Sequence, residues 1–350
     1  MTRALLDHFE EQAGACELMG SPFTARLLEA MHGDLVAGGP VADLVGDWQG
    51  RPRADAVALR LAGALHAAAL LGRAPALTAV YPAADPRWDP ARVWAAARAV
   101  LANDRAWVEP FLRLAPQTNE PRRSIALLVG FLSLTARFDR PLELLEIGAS
   151  AGLNLWWDRF SYRTDAWSWG DPAGARMETE WRGPAPEVDV RPRVRARAAC
   201  DLHPLDLRDP ADRLRLRAYV WPDQAERLAR FDAAVEAALA GGVRVDRADA
   251  AVWLEERLSR RAPDALTVVY HSVFLQYPPR ETRRAIERAI ERAGESGRAP
   301  LAWLRMEPEA VFGGPRDSSR FFVDVVTWPG GAHRVLAETD GHARFVRTDR

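Results

Sequence analysis

The chain contains no lysine; all 47 of its basic residues are arginine. That absence removes chemistry that depends on an amine. There is no Walker lysine for a nucleotide phosphate, no lysine for a Schiff base, no kinase lysine and no Ser–Lys dyad. Cysteine is nearly as scarce. Cys16 and Cys200 lie far apart, which gives neither a disulfide framework nor a cysteine-rich zinc site. No apolar run approaches the roughly 20 residues that a membrane-spanning helix needs. The opening MTRALLDHFEEQ has no apolar stretch after Arg3 and does not read as a signal peptide. With a net charge of −1, the whole-molecule field gives no reason to expect a nucleic acid partner.

What is present is a large apolar fraction, 48% of 350 residues, enough for one large domain or two modest ones. The chain centres on Leu142 to Gly152, LELLEIGASAG, followed by LNLWWDRF. An apolar strand, a glycine-rich turn and a helix opening form the unit with which α/β sheets build nucleotide pockets. Glycines let the backbone approach a ligand that a Cβ would push away. A helix opening offers free N–H groups to an anion. One reading is a class I S-adenosylmethionine site, with Glu146 as the acid and Gly148, Ser150 and Gly152 in the places of Gly-x-Gly-x-Gly; Asn154 follows. The same letters spell the nucleophile elbow G-x-S-x-G, with Ser150 as nucleophile. A dinucleotide fingerprint would need glycine at Ser150 and at Leu153. A tight turn that binds nothing is the remaining alternative.

Residues 1–120 read as a helical cap. Ser21-Pro22 opens one helix, Ala56 to Leu71 is alanine- and leucine-rich and mostly apolar all round, as in a buried helix, and Ala91 to Leu101 is another. His66 reads as a core histidine. Residues 121–350 read as an α/β domain, with an insertion over 156–192 that holds five of the 13 tryptophans. A helix over Ser124 to Phe138 leads into the first strand. The polar cluster before it offers Asn119, Glu120 and Arg123 as groups on a loop over the pocket. Arg193 to Cys200 alternates as a strand, with Val194, Ala196, Ala198 and Cys200 on one face. It ends at Asp201, where such folds hold a ribose diol. The spacing from the glycine turn exceeds the usual distance, and the tryptophan-rich insertion accounts for it. Val243 to Val245 reads as a short strand, and Asp249 after it as an adenine contact. Ala265 to Tyr270 reads as a buried strand running into HSVFLQYPP. This puts His271 and Tyr277 forward as catalytic groups, with Ser272 and Gln276 as acceptor contacts. Phe321 to Trp328 and a segment ending near Val346 read as an antiparallel pair closing the sheet.

LLEIGASAGLNLWWDRF, QTNEPRRS, CDLHPLDLRDP, WPDQ, EWRG and GSPF, taken together and in order, resemble a bacterial family known as domain of unknown function 2332, over nearly the whole chain. That resemblance implies no assigned activity. It implies a core similar to class I S-adenosylmethionine-dependent methyltransferases, an α/β, Rossmann-like, mostly parallel sheet. The expectation is therefore a cytoplasmic methyltransferase that binds S-adenosylmethionine and acts on a small molecule, without metal, nucleic acid or membrane partner. A serine hydrolase using Ser150, with Asp249 or Asp264 and His333 or His342, is one alternative. A ligand-binding protein of the same fold without methyl transfer is the other. The acceptor and the oligomeric state are not legible in the residues.

Overall fold

The computed structural model describes residues 2–315 and 317–349. The chain forms two compact units, one of residues 1–118 with 209–229, the other of residues 119–208 with 230–350.

The first unit is helical. Its main helices are Arg3–Leu18, Pro22–Val36, Val57–Leu70, Pro90–Asn103, Arg105–Arg113 and Pro210–Ala218. Thr2, Ser21, Asp89 and Asp209 cap four of them through side-chain oxygens, and three of those four carry proline in the first turn. Val57–Leu70 is buried on nearly every side, as its mostly apolar sequence implies, and it carries Arg60 and His66 inward with it. His66 on that helix is indeed a core residue. Its Nδ1 lies 3.1 Å from the Ala218 carbonyl, and burial lowers its pKa to about 4. GSPF and WPDQ meet in this unit. Asp223 accepts from Ser21 Oγ at 2.5 Å and from the Phe23 amide at 2.9 Å, while Gln224 donates to the Met19 carbonyl.

The second unit is built on a nine-stranded sheet with a small three-stranded sheet beside it. The strands are β1 (Leu142–Ile147), β2 (Ser161–Arg163), β3 (Ser168–Gly170), β4 (Arg176–Glu178), β5 (Glu180–Arg182), β6 (Val194–Asp201), β7 (Asp246–Arg247), β8 (Leu266–Ser272), β9 (Leu301–Pro308), β10 (Phe321–Trp328), β11 (Ala332–Thr339) and β12 (Phe345–Arg347). The large sheet runs β5-β12-β11-β10-β9-β8-β1-β6-β7. From β7 to β9 every neighbour is parallel. β10, β11 and β12 then fold back as an antiparallel meander, and β5 closes that edge parallel to β12. The architecture is α/β and Rossmann-like, with the antiparallel closure expected of Phe321 to Trp328 and the residues that follow.

Helices cover both faces. Ala250–Ser259 and Arg280–Glu295 pack on one, where Leu254, Ile286, Ile290, Val269 and Trp303 share a core. Arg123–Phe138 packs against the strands of the meander half, and Gly130 on it lets Leu304 approach closer than any Cβ would allow. Two local expectations fail. LNLWWDRF is not an α-helix but a 3-10 segment, Leu153–Arg159, broken at Trp156. Trp157 stacks on Phe131 at 4.1 Å and packs beside Trp169, so aromatic packing overrides helical propensity. The short strand lies at Asp246–Arg247 rather than at Val243 to Val245, because its partners are Cys200 and Asp201 at the end of β6. Among the described residues, no helix is long and apolar enough to cross a membrane.

Candidate functional site

The order of the parallel strands reverses at β1. The chain leaves β1 for β6 on one side and returns to β8 on the other. Open α/β sheets bind ligands outside the carboxyl ends of their strands at such a point. The turn Gly148 to Gly152 lies there.

Three residues of this turn are left-handed: Gly148 (φ +64°), Ser150 (φ +57°) and Gly152 (φ +77°). A Cβ on Gly148 would come within 2.1 Å of the Phe274 ring, and one on Gly152 within 2.9 Å of a Val243 methyl. Glycine is thus required at both places for space as well as for φ. Ser150 adopts the same region without being glycine, at a cost of about 1–2 kcal/mol. Its backbone is held on both sides. The Ser150 amide donates to Asp201 Oδ2 at 2.8 Å, and its carbonyl accepts from the Leu205 amide at 3.3 Å. Ser150 Oγ and Asn154 Oδ1 are buried and lack a hydrogen-bond partner, which is uncommon inside a protein.

Glu146 is buried on β1 beneath the turn. Tyr270 of β8 donates to its Oε2 at 3.2 Å and shares that hydroxyl with the Asn154 carbonyl. Burial raises the Glu146 pKa to about 8, the Tyr270 hydrogen bond opposing the shift and the nearby Asp201 charge adding to it. Asp201 ends β6 as expected. It accepts from the Ser150 amide and, through Oδ1, from the His203 amide at 2.9 Å. Each oxygen keeps a lone pair for a further donor. Asp249 is exposed and caps helix Ala250–Ser259 by accepting from the amides of Ala251 and Val252.

The residues after β8 divide in two. His271 is fully buried. Its Nδ1 lies 2.6 Å from Glu307 Oε1, and Trp303 Nε1 donates to its Nε2 at 3.1 Å. Because an indole only donates, Nε2 is the acceptor and Nδ1 carries the proton. Both ring nitrogens are therefore engaged within the protein. Gln276 and Tyr277 are exposed, Tyr277 by 74%, and Ser272 is half-buried. The polar cluster before β1 is tied to backbone. Asn119 Oδ1 accepts from the Leu153 amide, the Glu120 carbonyl accepts from Asn154, and Arg123 donates to the Gly341 carbonyl. The amide at the head of the 3-10 segment is thus already capped by Asn119, contrary to the expectation of a free helix opening.

Sequence reasoning missed Tyr270, Phe274, Trp303 and Glu307. A signal existed for the last two. In LAWLRMEP, Trp303, Arg305 and Glu307 alternate on one face of a strand that is otherwise apolar, so two charged groups are carried into a core. Among the described residues, no cluster of histidine, cysteine, aspartate or glutamate is placed to hold a metal.

The family model for uncharacterized proteins conserved in bacteria, domain of unknown function 2332, matches residues 6–348. No curated protein and no solved structure matches the chain.

Proposed function

The chain belongs to the family of domain of unknown function 2332, and on that premise we propose that it is an S-adenosylmethionine-dependent methyltransferase acting on a small molecule. One observation carries this reading: Glu146 near the end of β1 leads into a turn in which Gly148, Ser150 and Gly152 are left-handed, beside an acid that ends the neighbouring parallel strand. The residues fit the cofactor. Ser150 Oγ in the turn and Asn154 Oδ1 just after it are buried polar atoms without a partner, the kind that a bound ligand satisfies. In this reading Glu146 orients the amino-acid end of the cofactor, Asp201 the ribose and Asp249 the adenine. When bound, the cofactor supplies an electrophilic methyl group. The chain supplies alignment and exclusion of water. Tyr277 and Gln276 are open to an acceptor, with Ser272 at the strand end. His271 supports them from the core rather than acting as a base, since neither of its nitrogens is open.

The hydrolase alternative draws on the left-handed Ser150, as a nucleophile elbow requires. It fares worse on the hydroxyl itself. Ser150 Oγ is buried and meets no base, and His333 is turned to Asp324 at 2.6 Å. The test is calorimetric titration with S-adenosylhomocysteine of the wild type and of Asp201→Asn, which keeps an acceptor for the Ser150 amide. Micromolar binding, weakened tenfold (about 1.4 kcal/mol) by the substitution, is expected. Absence of binding to the wild type, with labelling of Ser150 by a serine-reactive phosphonate, would replace this reading with the hydrolase.

A further inference from the structure

The turn after β8 holds a backbone conformation that its sequence disfavours. Val273 has φ +55°, a region that β-branched residues rarely enter. Three donors converge to hold the turn, all on one oxygen. The Phe274 amide at 2.8 Å, the Leu275 amide at 3.2 Å and His271 Nδ1 at 2.6 Å all point to Oε1 of Glu307 on β9. The Val273 amide adds a bond to the Met306 carbonyl at 2.8 Å. Glu307 is fully buried, and its Oε2 has no hydrogen-bond partner. An ionisable side chain in such a place is expensive, and a neutral acceptor would serve one amide as well. Three convergent donors are what a carboxylate satisfies better than an amide oxygen can. The turn in its place lays the Phe274 ring over Gly148, within 2.1 Å of where a Cβ would stand. The same ring packs against His271 in a T-shaped pair, with centroids 5.6 Å apart.

We propose that Glu307 is a positioning residue for the glycine turn: through the amides of Phe274 and Leu275 it fixes the Phe274 ring against Gly148, and so sets the path of residues 148–152 without touching them. The link to ligand binding rests on the cofactor reading above; the link between the two turns does not. His271 is the second support, its orientation locked by Trp303 so that Nδ1 meets the carboxylate.

The test uses the full chain with Glu307→Ala, Glu307→Gln and, as a control, Leu134→Ala, a buried residue on helix Arg123–Phe138. Hydrogen–deuterium exchange is read over residues 148–153 and 273–277, at matched fractions of folded protein. Glu307→Ala is expected to raise exchange in both segments at least tenfold, Glu307→Gln to restore part of the protection, and Leu134→Ala to leave both segments unchanged. Faster exchange confined to 273–277, or equal loosening of 148–153 by Leu134→Ala, would overturn the proposal. S-adenosylhomocysteine titration supplies the second readout. Glu307→Ala should weaken binding tenfold or more and Glu307→Gln less than about threefold. A wild type that does not bind this ligand would overturn the cofactor reading alone, and exchange would still decide the role of Glu307.

Discussion

At Gly148 conformation and space coincide, so its substitution is a sharp probe. Gly148→Ala meets the left-handed penalty of about 1–2 kcal/mol and an overpacking cost against Phe274 of about 1–3 kcal/mol. A loss of about 2–5 kcal/mol in urea denaturation is expected, together with reduced affinity for S-adenosylhomocysteine. Glu146 makes a prediction with a definite sign. Its folded pKa, about 8, lies above its ordinary value of 4.5. The unfolded chain therefore releases this proton first, and stability falls as pH rises from about 4.5 to about 8. Glu146→Gln has no such proton. Its stability relative to the wild type should increase by about 2–4 kcal/mol between pH 5 and pH 8.5, because each pH unit between the two values is worth about 1.36 kcal/mol. Denaturant titrations at three pH values check this; a constant difference would mean that Glu146 is ionised throughout. His66 titrates in the opposite sense. Its folded pKa lies below the ordinary 6.5, so its contribution is complete above about 6.5 and is lost as pH falls toward 4.

Among elements, the motifs that stand out in the sequence act in pairs. GSPF is bound by WPDQ. QTNE caps the segment that begins at Leu153. GASAG is tied at Ser150 to the acid of CDLHP, and EWRG lies parallel to β12. The residues of each motif were legible, but their partners lie tens to hundreds of positions away, beyond the reach of periodicity or local propensity. Helix Ala250–Ser259 offers a test at this scale. Asp249 caps it through two amides, so Asp249→Ala should cost about 1 kcal/mol of stability. A simultaneous loss of S-adenosylhomocysteine affinity of at least fivefold, measured well below the melting temperature, would support the adenine role. Unchanged affinity would leave Asp249 as a cap alone.

For the whole molecule, the sheet order makes one turn more consequential than the others. Only at β1 do the crossovers diverge, and the carboxyl ends of β6, β1 and β8 lie side by side there. Hydrogen exchange with saturating S-adenosylhomocysteine should therefore protect segments near residues 146–153, 200–205 and 271–277. The antiparallel strands β10 to β12 should be unaffected. Protection centred on the meander instead would move the site to the other half of the sheet.

Much of this protein is decided locally. Apolar runs such as LTVVY, the 3.6-residue stripe of Arg280–Glu295 and the glycine spacing of 148–152 each depend on neighbours within a turn or a strand, so composition and period suffice to read them. The α/β class, the strand that ends in Asp201 and the antiparallel closure follow from such features. Tertiary structure decided what local rules do not carry. It turned LNLWWDRF into a broken 3-10 segment in which Trp157 stacks on Phe131, a residue outside the segment that no local rule takes into account. It enclosed His271 between Trp303 and Glu307, and paired Glu146 with Tyr270, since hydrogen bonds and burial across parallel strands depend on register between residues far apart in the chain.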